Sequence, residues 1–143
     1  MGKPIDRSGP SPEGTVSDLH QDLFNLSSAI RYVALADGQQ VGMRSRTDLR
    51  NASSVDSDRY EELLVNPALL TLTRQRDDID CGGLRYLIVG YGHFHQLVLP
   101  LVAGHVAIAF DLNANPARHE PYSRQWLATA TSVDEAPIRP PGY

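Results

Sequence analysis

Two histidines are the residues best suited to chemistry. His93 and His95 stand two apart in a segment, His93 to Leu101, that reads as a strand. Alternation along a strand points both imidazoles to one sheet face. Paired imidazoles hold a transition metal when another ligand arrives from elsewhere in the fold. His105 opens the next strand, but the tight turn at Ala103-Gly104 sets it near Val102, far from His95. Simple register therefore does not favour a three-histidine site. His93 and His95 are the metal candidates, and two polar residues at a strand edge or interface are the plainer reading of the same pair.

Other chemistries fail on spacing. Cys81 is the single cysteine, and no local nucleophile signature surrounds it. A reactive thiolate needs a neighbouring base and oxyanion donors, so a buried structural cysteine is the expectation. The glycines match neither GxGxxG nor GxxxxGK[ST], which leaves Gly82, Gly83, Gly90 and Gly92 as turn glycines. Asp77, Asp78 and Asp80 lack calcium-loop spacing and would oppose a helix dipole, so they read as a solvated helix exit. Lys3 is the only lysine, which excludes a core Schiff base or a P-loop phosphate ligand. No catalytic residue and no cofactor is expected.

The elements that position these residues follow from periodicity. Ser17 and Asp18 precede Leu19, Leu23, Leu26 and Ile30, whose spacing predicts a helix over 18–28. Asp37-Gly38 separates two extended runs, Ile30–Ala36 and Gln39–Arg46, and predicts a hairpin. Residues 47–57 read as a loop. Asp58 and Glu61 have capping-box spacing, with Tyr60, Leu63 and Leu64 as the inward face of the helix that follows. Asn66-Pro67 predicts a kink or two helical pieces, continuing to about Arg76. Beyond Cys81, the runs Leu84–Val89, His93–Leu101 and His105–Leu112 predict an antiparallel meander. Leu84–Val89 is the most apolar run and is expected at the centre. The result is an α+β domain in the order α-β-β-α-β-β-β, with one five-stranded antiparallel sheet and helices covering one face.

That order, the Asp37-Gly38 hairpin and the Leu84–Leu112 meander resemble the roadblock/LC7 fold, a profilin-like α/β scaffold, over residues 17–112. The resemblance implies a noncatalytic platform or regulator, dimeric and linked to small GTPases. Such proteins usually close with a C-terminal helix. Here Asn115-Pro116 reads as the end of regular structure, and only 123–130 has the composition of a short helix, with Trp126 as its anchor.

Composition frames this domain. The 143 residues carry 13 basic and 17 acidic side chains, a net charge of −4. An acidic domain disfavours nucleic acid as a partner, and its local basic cluster, Arg44, Arg46 and Arg50, reads as a solvated edge ahead of a grip on phosphate or an acidic partner. No apolar run approaches the roughly 20 residues that span a bilayer. The first residues lack the apolar segment of a signal peptide, so the cytoplasm is the expected compartment. Eight of the ten prolines lie before residue 17 or after residue 112. Residues 1–16 and 113–143 therefore read as flexible Pro-rich tails, the places where a protein partner or larger complex is expected to bind. Tyrosine beside arginine suits a homodimer interface, for which Tyr32, Arg44, Arg46, Tyr86, Tyr91 and Trp126 are the candidates. Two functions follow: a dimeric scaffold or regulatory subunit, or a small-ligand or metal-binding domain, enzymatic or not, centred on His93 and His95.

Overall fold

The computed structural model describes residues 20–37 and 40–131, apart from the side chains of residues 77, 78 and 129–131. The N-terminal tail expected over 1–16, the hairpin tip at 38–39 and the last twelve residues lie outside the described residues. One antiparallel sheet organises the rest, in the order β2-β1-β5-β4-β3. Its strands are β1 (Ile30–Asp37), β2 (Gln40–Ser45), β3 (Leu87–Gly90), β4 (His95–Pro100) and β5 (Gly104–Phe110). The five-stranded antiparallel α+β expectation is met.

The centre of the sheet is not the expected one. Leu84–Val89 was the expected central strand, yet β3 is short and forms an edge, whereas β5 lies between β1 and β4. Apolar composition misled because strand position depends on the opposing register. β5 is buried on both faces, with Val106, Ile108 and Phe110 on one and His105, Ala107 and Ala109 on the other. The β1–β5 pairing also requires glycine at its start, because a Cβ on Gly104 would fall 1.9 Å from the Ala36 carbonyl oxygen.

One face carries the apolar core. Leu23, Ile30, Val33, Leu97, Leu99, Val106, Ile108, Phe110 and Leu127 pack together, flanked by Phe24, Leu35, Tyr86 and Trp126. Two helices cover this face. The first, α1, is helical over 20–24 and ends sooner than the 18–28 expectation. Ser27 Oγ accepts the Ala29 amide at 3.1 Å, a local bond that competes with helix continuation. The C-terminal helix, labelled α4, spans Pro116–Thr131 and buries Ser123 and Leu127, with His119 stacked on Phe110 at 4.9 Å. It starts well before the short helix expected at 123–130. Asn115-Pro116 begins structure instead of ending it: Asn115 Oδ1 accepts the Ala117 amide at 3.1 Å, and Pro116 takes the first helical position.

The opposite face is covered too, which the sequence reading did not expect. A continuous helical run over 55–81 lies on it, built from α2 (Val55–Tyr60), a wide π-turn (Glu61–Val65), α3 (Asn66–Arg76) and a second π-turn (Asp77–Cys81). The cap is Ser54, whose side chain accepts the Ser57 amide, so Asp58 and Glu61 are not a capping box. Gly82 ends the run in the left-handed region at φ 82°. Asp77, Asp78 and Asp80 thus continue the helix, and Arg76 pairs with Asp80 at 3.1 Å. Among the described residues, no helix is long and apolar enough to cross a membrane.

Candidate functional site

The π-turn decides which residues meet the sheet. Pro67 lacks an amide hydrogen, and its ring would clash with the carbonyl four residues back in a regular helix. The turn before it widens, and the Asn66 amide donates to Glu61 O, five residues away. This places Glu61, Glu62 and Asn66 toward the sheet, while Tyr60 and Leu64 turn outward, 59% and 56% exposed. The expected inward face of Tyr60 and Leu64 is therefore reversed.

Buried Glu62 is the hub of a polar network. Tyr32 Oη donates to Glu62 Oε2 at 2.9 Å, and Asn66 Nδ2 donates to Glu62 Oε1 at 2.9 Å. His105 Nε2 lies 2.7 Å from Glu62 Oε1, with both side chains buried. Gln96 Nε2 extends the network to Asn66 Oδ1 at 3.2 Å and Glu61 Oε2 at 2.7 Å. Tyr91 Oη closes it on the two Glu61 oxygens at 2.9 and 3.0 Å. Small neighbours, Ala34, Ala107 and Ala109, leave room on this face for the longer polar groups.

A cavity of about 240 Å³ adjoins the network. Its floor is Tyr32, Gln96 and Ala109, its walls are Asp58, Glu61, Tyr91 and Phe94, and Ala52, Ser53 and Ser57 stand at its mouth. Burial, with the Glu62 charge and hydrogen bond behind it, pushes the Tyr32 hydroxyl far above its ordinary range. The Tyr91 hydroxyl is pushed up to about 12, by burial first and then by Glu61. Burial also raises Asp58, with the Glu62 charge adding to it and a Ser53 hydrogen bond opposing it. These shifts share one origin, negative charge in a desolvated place. A second cavity of about 280 Å³ opens at the other end, against Glu62, His105 and Arg74.

The sequence-derived candidates scatter. His93 lies in the turn before β4 and lines the first cavity, whereas the His95 ring faces the Leu112 carbonyl at 3.2 Å. They do not share a strand face, because β4 starts only at His95. Among the described residues, no group of three or more His, Cys, Asp or Glu side chains is placed to hold a metal. Cys81 is exposed, contrary to the buried expectation.

Of the interface candidates, Tyr32 is only 7% exposed and is spent on Glu62, so it cannot form a surface contact in this fold. Arg31, the neighbour of Tyr32, occupies a β-bulge and turns inward, 8% exposed. It binds Asp111 at 3.2 Å and the carbonyls of Arg50 and Asn51. Arg46 is held by the Ser28 carbonyl and Asp111, and Arg44 is exposed on edge strand β2. Tyr86 and Trp126 are half-buried on the apolar core, and Tyr91 is 37% exposed.

The sequence reading missed Glu62, Asn66, Gln96 and His105. A signal existed, since Gln96 and His105 are the polar exceptions at inward positions of apolar strands.

No protein-family model matches the chain, and no curated protein matches it. Solved structures do. A roadblock/LC7 domain from Streptomyces avermitilis aligns with a TM-score of 0.61 at 17% identity, covering 80% of this chain and 92% of that one. The gliding protein MglB from Thermus thermophilus gives 0.62 at 14% identity, covering 87% and 94%. An MglB with a tetrameric arrangement gives 0.64 at 12%, covering 87% and 93%. With the element order, the sheet topology and these alignments in agreement, the chain has the roadblock/LC7 fold.

Proposed function

We propose that this chain is a noncatalytic, dimeric regulatory subunit or scaffold of the cytoplasm, acting through protein–protein contact and linked to a small GTPase. The GTPase link rests on the roadblock/LC7 resemblance alone. One observation carries the dimer: Tyr60, Leu64, Ala68 and Leu72 recur every four residues on the solvent side of the helical run, and Leu72 is 64% exposed. That spacing forms a single apolar ridge.

The ridge is self-complementary. Leu64 and Leu72 flank Ala68 at equal distances along the helix. A second copy crossing antiparallel at Ala68 sets each Leu64 against the other copy's Leu72, and the alanine permits close approach. Edge strand β3, with Ile88 exposed, offers further unpaired backbone. The tetrameric arrangement of one MglB structure supports self-association as the mode of this scaffold. The terminal segments remain the proposed contacts for other proteins.

Sedimentation velocity tests the reading. The wild type is expected as a dimer at micromolar concentration, and the Leu64→Arg/Leu72→Arg double variant as a monomer with an unchanged circular dichroism spectrum. A wild type that stays monomeric at every concentration would sink it.

A further inference from the structure

We propose that the cavity between α2 and the 91–94 turn binds a small organic cation carrying a guanidinium or ammonium head. This lies on the sheet side of the helix and does not depend on the proposed dimer.

Three features carry it. The first is unpaired charge. Asp58 and Glu61 are three residues apart, so both project from one side of the helix, and both line the cavity. The hydrogen bonds they accept come from neutral donors, Ser53 for Asp58 and Tyr91 and Gln96 for Glu61. Among the described residues, neither carboxylate has a cationic partner within ion-pair distance. Arg31 reaches the rear of the cavity, but its guanidinium is committed to Asp111 and to two backbone carbonyls.

The second feature is the wall facing those carboxylates. The Tyr91 and Phe94 rings stand 5.3 Å apart at 55°, presenting aromatic surface to the same space. Arg31 already lies 5.7 Å from the Phe94 ring centroid, which shows that this aromatic corner accommodates a guanidinium. Carboxylate on one side and aromatic faces on the other suit an organic cation better than a metal ion, which needs several close oxygen or nitrogen ligands.

The third is size and access. A volume of about 240 Å³ exceeds the roughly 150 Å³ of a cavity that takes up benzene, and falls below the ~300 Å³ lower end of drug-sized sites. The exposed residues Ala52, Ser53, Ser57 and Gly92 leave the mouth open to solvent. The elevated Asp58 and Tyr91 titrations described above mark the desolvated negative environment that such a cation would neutralise.

Titration of the full chain with butylguanidinium, followed by amide chemical shifts, tests the site. Saturable shifts are expected at Tyr91 and Gly92, absent with butyrate or n-pentanol. Binding should weaken about tenfold in Glu61→Gln, as loss of one charge-assisted contact implies. Asp58→Asn serves as the second charge variant if Glu61→Gln loses its native spectrum, and Leu49→Trp should block the cavity without removing charge. A blocked Gly-Arg-Gly peptide binding as well as butylguanidinium would identify a partner's side chain as the source of the cation. Binding by butylguanidinium alone would identify a free small molecule. Either result supports the site. Equal binding of n-pentanol, no saturable shift with the cation, or unchanged affinity in both charge variants would overturn it.

Discussion

The two faces of the sheet are held by different physics. Beneath α1 and α4, nine buried apolar side chains interlock, from Leu23 to Leu127. Beneath the 55–81 helix the sheet offers alanines, and the contacts are hydrogen bonds that converge on Glu62. Apolar burial scales with area and tolerates small shifts of the partner. A buried carboxylate tolerates few, because each unpaired donor or acceptor costs its desolvation. The apolar face thus supplies bulk stability, and the polar face fixes where the 55–81 helix sits. That placement sets both the outer ridge and the cavity.

Substitutions that separate area from hydrogen bonding probe this difference. The largest effect is expected on the apolar face. Phe110 is fully buried, so Phe110→Ala should lower unfolding stability by about 4 kcal/mol, the usual cost of an aromatic cavity. A urea midpoint barely moved from wild type would mean that the apolar face is not the main source of stability.

Glu62→Ala comes next, at about 3 kcal/mol, because it strands the Tyr32 hydroxyl, the Asn66 amide and His105. Tyr32→Phe removes only one of these bonds and should cost about 1.5 kcal/mol. Shared dependence on one carboxylate makes the pair non-additive. The double variant should be less damaged than the sum of the singles by about 1 kcal/mol. Strict additivity in denaturant unfolding would show that Tyr32 and Glu62 do not act as one unit.

The same contrast explains how much of the molecule is legible in its sequence. Apolar runs bounded by turn residues located most of the strand residues, because β1, β4 and β5 are buried on both faces and read as near-continuous apolar stretches. Hydrophobic periodicity failed on the 55–81 helix for a physical reason. Its inward residues are the polar Glu61, Glu62 and Asn66 together with Leu70, and its outward ones include Tyr60, Leu64 and Leu72, largely the reverse of an ordinary amphipathic helix. The wide turn before Pro67 also shifts the phase, so the ordinary 3.6-residue period does not carry through it. Asn115-Pro116 was ambiguous at the level of type, since the same pair suits a loop or a helix start. Only the Ala117 amide on Asn115 Oδ1 decides between them. His93 and His95 drew attention by residue type, yet it is His105 that is buried against a carboxylate, Glu62.

The smallest expected effect reads the polar face through a pH dependence. Tyr91 has an ordinary value of 10.0 and is raised to about 12 in the folded chain, by burial first and then by Glu61. A raised value means that the folded state keeps its proton where the unfolded state has lost it. The associated stability is therefore complete below pH 10 and is lost as pH rises through about 12. Partial exposure of the ring screens this contribution and keeps it small. Tyr91→Phe removes the titrating group and leaves the aromatic contact with Phe94 in place. Its urea midpoint should fall less steeply with alkaline pH than that of the wild type. Tyr32 remains as background in both proteins, so the difference between the two slopes belongs to Tyr91. Identical slopes would mean that the Glu61–Tyr91 bond does not persist in solution, and would confine the polar network to the buried groups around Glu62.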